Sequence, residues 1–124
     1  MKHTSITLLT LTAAASFAQS APAAASAFTT SGNVAISSDY VFRGLSQTAG
    51  KAAVSAGYDV SHSSGLSAGI WASNVSSALG GLEIDLYAAY GFKLGAVDVS
   101  VGYINYTYYT AANGGEANVS ATYS

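Results

Sequence analysis

Few side chains in this chain of 124 residues have acid–base or ligand chemistry: it has four Lys or Arg, six Asp or Glu, two His and no Cys. Glu83 and Asp85 are the closest acidic pair, because alternate residues of a strand lie on one side about 7 Å apart. Two carboxylates at that spacing could perform acid–base chemistry on a sugar or bind a cation. An expected loop at residues 76–81 precedes the pair, so we favour a third interpretation, a solvated acidic rim.

Asp39 and Arg43 form a second group of charges, four residues apart on a predicted strand. They share one side of that strand but lie about 13 Å apart, which is too far for them to pair with each other. Arg43 is therefore expected to pair with a carboxylate on another strand, and Asp59 is one candidate. Such charges either bias the movement of ions through a lumen or form a salt bridge that only holds strands in register.

His62 is the only histidine after residue 27. A Ser-His-Asp enzyme needs a carboxylate that orients the histidine, and Asp59, three residues away, is predicted to point to the other face of the strand. The sequence also contains no metal-ligand cluster, phosphate-binding loop or nucleophile motif. We therefore predict no catalytic, cofactor-binding or metal-binding residues and no enzymatic activity. A net charge of −2 without a basic cluster argues against nucleic acid as a partner.

The first 27 residues have the features of a secretory signal peptide. Lys2 gives a weakly positive start, and the apolar stretch that follows is too short to span a bilayer as a helix. Ala25-Ser26-Ala27 fits a small-x-small cleavage site, with Ser16-Phe17-Ala18 as the second choice. Residues 1–27 are thus predicted to be a cleaved signal peptide, against the alternative of a retained Ala-rich leader. Export excludes a cytoplasmic enzyme, and the lack of Cys excludes a lipid anchor.

The remaining residues, which lack proline, alternate apolar and polar side chains with a period of two, the signal of β-strands. The pattern predicts an all-β fold, an antiparallel meander of about six strands. The predicted strands cover residues 33–43, 54–61, 66–73, 82–90, 97–103 and, more weakly, 117–123. Tyr40 and Phe42 are assigned to the apolar face of the first strand. The charged residues of the strands all fall on the opposite face: they are Asp39, Arg43, Asp59, Glu83, Asp85 and Asp98.

The composition of the two faces favours a membrane environment. The face opposite the apolar one is mostly Ser, Gly, Ala and Asn, which suits the inside of a barrel whose apolar band contacts lipid. Closure is required in that setting, because lipid does not tolerate unpaired backbone groups. Short links alternate with longer ones, as periplasmic turns alternate with external loops in outer-membrane barrels. The short links cover residues 63–65 and 94–96, and the long ones 46–50, 76–81 and 109–115. Residues 28–124 are therefore predicted to form part of a transmembrane outer-membrane β-barrel.

Several segments of the chain resemble one bacterial family. They are Gly32-Asn33-Val34-Ala35, Ser38-Asp39-Tyr40-Val41-Phe42-Arg43-Gly44-Leu45-Ser46-Gln47-Thr48, Trp71-Ala72-Ser73-Asn74-Val75, Glu83-Ile84-Asp85-Leu86-Tyr87 and Val101-Gly102-Tyr103-Ile104-Asn105-Tyr106-Thr107-Tyr108. In this order they resemble the N-terminal portion of the TorF family, conserved outer-membrane proteins of Proteobacteria assigned as porins. The resemblance covers almost all of the chain after the leader. Members of that family are longer, so the resemblance implies that the barrel domain is incomplete at its C-terminus.

The expected function is a porin-like channel of the cell outer membrane for the passive diffusion of small polar solutes or ions. The six charged residues of the strands are the candidates for lining its lumen, and because carboxylates outnumber Arg43 there, cations should be favoured. Outer-membrane lipid and the barrel-assembly machinery are the expected partners. Such barrels begin at about eight strands, so the chain is either incomplete or a homo-oligomer. The alternatives are a structural or adhesive outer-membrane barrel with a plugged lumen, and a secreted soluble β-sandwich or lipocalin-like binder.

Overall fold

The computed structural model describes residues 11–13 and 26–123. Most of the predicted signal peptide, including Ala25 of its cleavage site, lies outside these residues. In chain order the strands are β1 (Leu11–Ala13), β2 (Phe28–Ser37), β3 (Val41–Phe42), β4 (Leu45–Ser46), β5 (Ala53–His62), β6 (Leu66–Asn74), β7 (Leu82–Leu94), β8 (Val97–Tyr108) and β9 (Gly114–Tyr123), with a 3-10 helix at Ser77–Leu79. Within the described ranges no helix combines the length and the hydropathy needed to cross a membrane.

Seven of these strands form one antiparallel sheet in the order β1-β2-β5-β6-β7-β8-β9. Apart from the insertion between β2 and β5, each strand pairs with the next in the chain, which makes the sheet a meander. This confirms the all-β, antiparallel prediction, and the six predicted strands correspond to β2, β5, β6, β7, β8 and β9. Among the described residues β1 and β9 are the two edges of the sheet and are not paired with each other.

Tight turns join the strands at one end of the sheet. Ser63, Ser64 and Gly65 connect β5 to β6, and Gly65 adopts a φ of 95°. Gly95 and Ala96 alone connect β7 to β8, with Gly95 at a φ of 61°. Positive φ is accessible to glycine without a steric penalty, so these residues allow the short reversals. The predicted short link at residues 63–65 is thus confirmed, and the one predicted at residues 94–96 is one residue shorter, because Leu94 still belongs to β7.

Burial in the sheet is inverted relative to a water-soluble domain. Large apolar side chains of the long strands point to one side and remain exposed; Ile36, for example, is 64% exposed and Leu86 is 54% exposed. We call this side the apolar face and the opposite side the polar face. The buried side chains of the described residues are mainly polar: Thr48, Ser73, Glu83 and Asp85, beside the apolar Ala53 and Val75. The sheet therefore has almost no hydrophobic core of its own.

One part of the strand prediction is wrong. The first strand, predicted for residues 33–43, runs from Phe28 to Ser37, and residues 38–52 leave the sheet as a segment that we call the capping loop. The loop contains the small β3–β4 ladder and reverses at Arg43 and Gly44, whose φ values are 49° and 83°. The alternating pattern continues through residue 43, but the chain bends away from the sheet at Ser38, well before the reversal at residues 43–44.

The capping loop folds over the polar face. Tyr40 packs edge-on against Trp71 of β6 with ring centroids 5.4 Å apart, and Phe42 lies 6.1 Å from Tyr106 of β8. The Ser76 amide donates to the Gln47 carbonyl oxygen at 2.7 Å and fastens the loop to the β6–β7 connection. Tyr40 and Phe42 therefore contact the polar face, which corrects their assignment to the apolar face.

Candidate functional site

The centre of the polar face is Glu83 and Asp85, which we call the acidic pair. Leu82, Ile84 and Leu86 alternate with them along β7, so the strand geometry places both carboxylates on the same side. On β6, Ser73 lies opposite Glu83 and Trp71 opposite Asp85; on β8, the partners are Tyr108 and Tyr106. The acidic pair is 1% and 5% exposed, which contradicts the interpretation as a solvated rim.

Each carboxylate of the acidic pair has an oxygen without a hydrogen-bond partner. Glu83 Oε1 accepts hydrogen bonds from Tyr108 Oη at 2.9 Å and from Tyr40 Oη at 3.4 Å. Its other oxygen, Oε2, and Asp85 Oδ1 are buried and make no hydrogen bond within the described part of the chain. A buried charged group without a partner is costly, so each of these oxygens calls for a proton, a water molecule or a cation.

Aromatic side chains surround the acidic pair and separate it from bulk solvent. Tyr40 reaches it from the capping loop, Trp71 from β6, and Tyr108 from β8. Burial, followed by the negative charge of Glu83, raises the pKa of Tyr40 well above its ordinary value of 10.0, so its hydroxyl remains a proton donor toward Glu83. The arrangement combines negative charge with partial exclusion of water, which strengthens its attraction for a cation.

Asp59 of β5 belongs to a neighbouring contact on the same face. It accepts a hydrogen bond from Tyr87 Oη at 2.6 Å, although β6 lies between β5 and β7. Gly69 of β6 is the register partner of both residues. A Cβ atom at Gly69 would overlap the Tyr87 ring, so the missing side chain is what allows Tyr87 to lie across β6. The contact links three strands.

Arg43 makes a different ion pair from the one that we named as a candidate. Its guanidinium donates two hydrogen bonds, each 2.7 Å long, to the two carboxylate oxygens of Glu116 on β9, rather than to Asp59. Glu116 was missed because the last strand was predicted to begin at residue 117. The sequence pattern could have identified it, because Glu116, Asn118 and Ser120 are alternate polar residues that would share one face of the strand. The ion pair connects the capping loop to the far edge strand of the sheet.

Asp39, like Arg43, lies in the capping loop and not on a strand, which corrects the prediction that the two share one strand face. It accepts hydrogen bonds from Ser46 Oγ at 2.6 Å and Thr48 Oγ1 at 2.7 Å. These two hydroxyl donors lower the pKa of Asp39 below its ordinary value of 3.8. Asp39 therefore ties the start of the loop to its end.

Asp98 lies at the β7–β8 turn, where it forms a 2.6 Å ion pair with Lys93 of the adjacent strand. Of the six predicted site residues, the structure thus brings only Glu83 and Asp85 together under the capping loop. Asp59, Asp39, Arg43 and Asp98 each have separate partners.

Comparison with known proteins identifies the family of this chain. A family model described as bacterial protein of unknown function (Gcw_chp) matches residues 21–123. The chain belongs to the Gcw_chp family. The match includes the six long strands, the capping loop and the acidic pair of this Gcw_chp protein. No curated protein and no solved structure matches the chain.

The remaining candidate, His62, does not assemble a catalytic group in this Gcw_chp protein. Its Nδ1 contacts Ser64 Oγ at 2.8 Å and accepts from the Ser64 amide at 3.1 Å, and its ring packs 4.6 Å from that of Phe28. The contacts with Ser64 are local to the β5–β6 turn, and Phe28 is the register partner of His62 on the neighbouring β2. Across the residues that the structure describes, no three or more His, Cys, Asp or Glu side chains converge on a metal position. The acidic pair is therefore the part of the structure with the strongest ligand chemistry.

Proposed function

We propose that this Gcw_chp protein forms part of a porin-like β-barrel of the cell outer membrane, through which small polar solutes or ions diffuse passively. The observation that carries the proposal is the inverted burial of the sheet. Leu86 is 54% exposed while its strand neighbours Glu83 and Asp85 are nearly excluded from solvent. In lipid the apolar face would have a matching environment, and the polar face would line the lumen.

The extent of the apolar face supports lipid rather than water as its surroundings. Exposed large apolar side chains occur on every long strand of the sheet, from Phe28 on β2 to Tyr123 on β9. Soluble monomers rarely expose a contiguous apolar surface of this extent. The long strands contain 9 to 13 residues, and a tilted strand needs about 9–11 residues to cross the hydrocarbon.

The open edges of the sheet would need pairing partners in a membrane. Cleavage of a signal peptide after Ala27 would remove β1 and leave β2 and β9 as edges. A membrane does not tolerate such edges, so they must be paired by further strands or by another copy of the chain. The resemblance to the TorF family, whose members are longer, supports closure by further strands. Insertion would involve the barrel-assembly machinery, as for other proteins of this class.

The charges of the polar face support a preference for cations. Asp59, Glu83, Asp85, Asp98 and Glu116 all lie on the strands of this face, and Arg43 reaches it from the capping loop. Two of the five carboxylates are paired, Glu116 with Arg43 and Asp98 with Lys93. The excess of carboxylates would make the potential of a lumen negative.

A second candidate function is a structural outer-membrane barrel whose lumen is plugged. The capping loop favours it, because this segment lies across the polar face and is tied to β9 by the Arg43–Glu116 ion pair. A secreted soluble β-sandwich is the third candidate, but it would need another layer to cover the apolar face.

Fractionation and electrical recording test the proposal together. The protein should appear in the outer-membrane fraction with a new N-terminus at Phe28, and its gel mobility should change on heating, as for folded barrels. In a planar bilayer under a salt gradient, the reversal potential should indicate cation selectivity. A folded barrel without conductance would favour the plugged barrel. A protein that remains monomeric in water without detergent would favour the soluble sandwich.

A further inference from the structure

We propose that the acidic pair binds one divalent cation of the calcium type, an ion that prefers oxygen ligands. Glu83 and Asp85 point from adjacent same-face positions of β7 into the space beneath the capping loop. Glu83 Oε2 and Asp85 Oδ1 are both buried there and have no partner among the described residues. The inference deepens the proposed cation-conducting channel, but the site itself follows from the geometry of the polar face.

The basic side chains of the described residues leave the pair unneutralised. Arg43 is engaged in two hydrogen bonds with Glu116, and Lys93 pairs with Asp98 of β8. Lys51 of the capping loop is exposed, and among the described residues it forms no ion pair with Glu83 or Asp85. Two adjacent carboxylates in a partly desolvated position repel each other, and one cation with two charges would balance both. A single ion would also be coordinated by both unpartnered oxygens.

The chemistry of the surrounding side chains selects the class of cation. Carboxylate and hydroxyl oxygens are available from Glu83, Asp85, Tyr40 and Tyr108. No sulfur or imidazole ligand from the described part of the chain joins them. Oxygen ligands favour calcium and magnesium over softer transition metals. With only two carboxylates, water must fill most coordination positions. The expected dissociation constant is therefore in the weak range of about 10⁻⁴–10⁻³ M that is typical of extracellular calcium modules.

Two tyrosines hold Glu83 in the orientation that the site needs. Both Tyr108 and Tyr40 donate to Oε1, which leaves Oε2 as the oxygen free to bind the ion. Hydrogen bonds of this kind orient a ligand and tune its affinity for a metal. Because Tyr40 comes from the capping loop, ion binding and the position of that loop should be coupled.

Terbium luminescence offers a direct test, because Tb³⁺ replaces Ca²⁺ and emits when a nearby tryptophan is excited. The chain has one tryptophan, and this residue, Trp71, is the register partner of Asp85. Titration of the full chain in detergent with Tb³⁺ should give saturable emission that Ca²⁺ displaces. Glu83→Gln and Asp85→Asn, which keep the side-chain shape, should each weaken binding more than about tenfold.

Asp98→Asn is the matched control, since Asp98 is a carboxylate of the same face on β8, opposite Lys93 and far from the acidic pair. This variant should leave the titration unchanged. Equal emission from all variants, or no saturable emission from the wild type, would overturn the site. So would an infrared band of protonated carboxyl groups at neutral pH that Asp85→Asn removes and calcium does not alter. Ion binding in a protein that carries no current would overturn the channel but support the site.

Discussion

The two faces of the sheet differ most sharply within one strand, β7. Leu86 on the apolar face is 54% exposed, whereas Glu83 and Asp85 on the polar face are 1% and 5% exposed. Around the acidic pair the polar face is covered by the chain itself, through the capping loop and the neighbouring aromatic side chains. The apolar face has no such cover within the described residues. The difference indicates that the environment of the apolar face must come from outside this sheet.

An arginine on the apolar face should produce the largest effect. If this face contacts lipid, Leu86→Arg or Ile70→Arg should reduce the free energy of unfolding by about 2–4 kcal/mol near the bilayer midplane. If the face contacts water, the change should stay within about 0.5 kcal/mol, as for other surface substitutions. Urea unfolding of the protein in lipid vesicles measures the difference. Leu45→Arg, at an exposed position of the capping loop, is the control and should be tolerated.

Loss of one hydroxyl at the acidic pair should produce the next largest effect. Tyr108→Phe removes the 2.9 Å hydrogen bond to Glu83 and leaves a buried carboxylate with less support. Hydrogen bonds to charged groups contribute about 1.5–3 kcal/mol, so a loss of that order is expected in the same unfolding assay. The adjacent Tyr109 is exposed, and Tyr109→Phe should be neutral. Equal effects of the two changes would argue against a buried polar centre.

A methyl group at Gly69 should disturb the polar face by a smaller amount. Gly69→Ala displaces the Tyr87 ring and weakens its hydrogen bond to Asp59. Because both groups are half-buried, the expected loss is about 0.5–1.5 kcal/mol. Tyr87→Phe should cost a similar amount, and the double variant should cost little more than either single change. Gly114→Ala is the control, since a Cβ atom there contacts nothing within 4 Å. Additive losses in the double variant would contradict this contact.

Acid should loosen the capping loop before it unfolds the sheet. The pKa of Asp39 in the folded protein lies below its ordinary value of 3.8. The ionised carboxylate therefore stabilises the loop fully above pH 3.8, and this contribution disappears as the pH falls through the lowered pKa. Pepsin cleavage within residues 38–52 should accelerate over that range. Asp39→Asn should remove the part of the pH dependence due to Asp39, whereas Glu83 and Glu116, which also contact the loop, would account for the remainder.

The sequence by itself determined the strands and their two faces. The period of two placed Glu83 and Asp85 together and opposite Leu86, and the glycine-containing links at residues 63–65 and 94–96 predicted the tight turns. These features are local, because side-chain direction in a strand depends on the parity of the position and short reversals depend on φ values that glycine adopts readily.

The capping loop was decided by the tertiary structure. The alternation of residues 33–43 predicted one strand, but the chain leaves the sheet after Ser37 and packs Tyr40 onto Trp71 and Glu83. The Arg43–Glu116 ion pair joins residues 73 positions apart. The Tyr87–Asp59 contact requires that Gly69 of β6, which has no side chain, lies between the two residues. Such contacts depend on strand order, register and the path of the loop, since residues that are distant in the chain meet only when the sheet has formed.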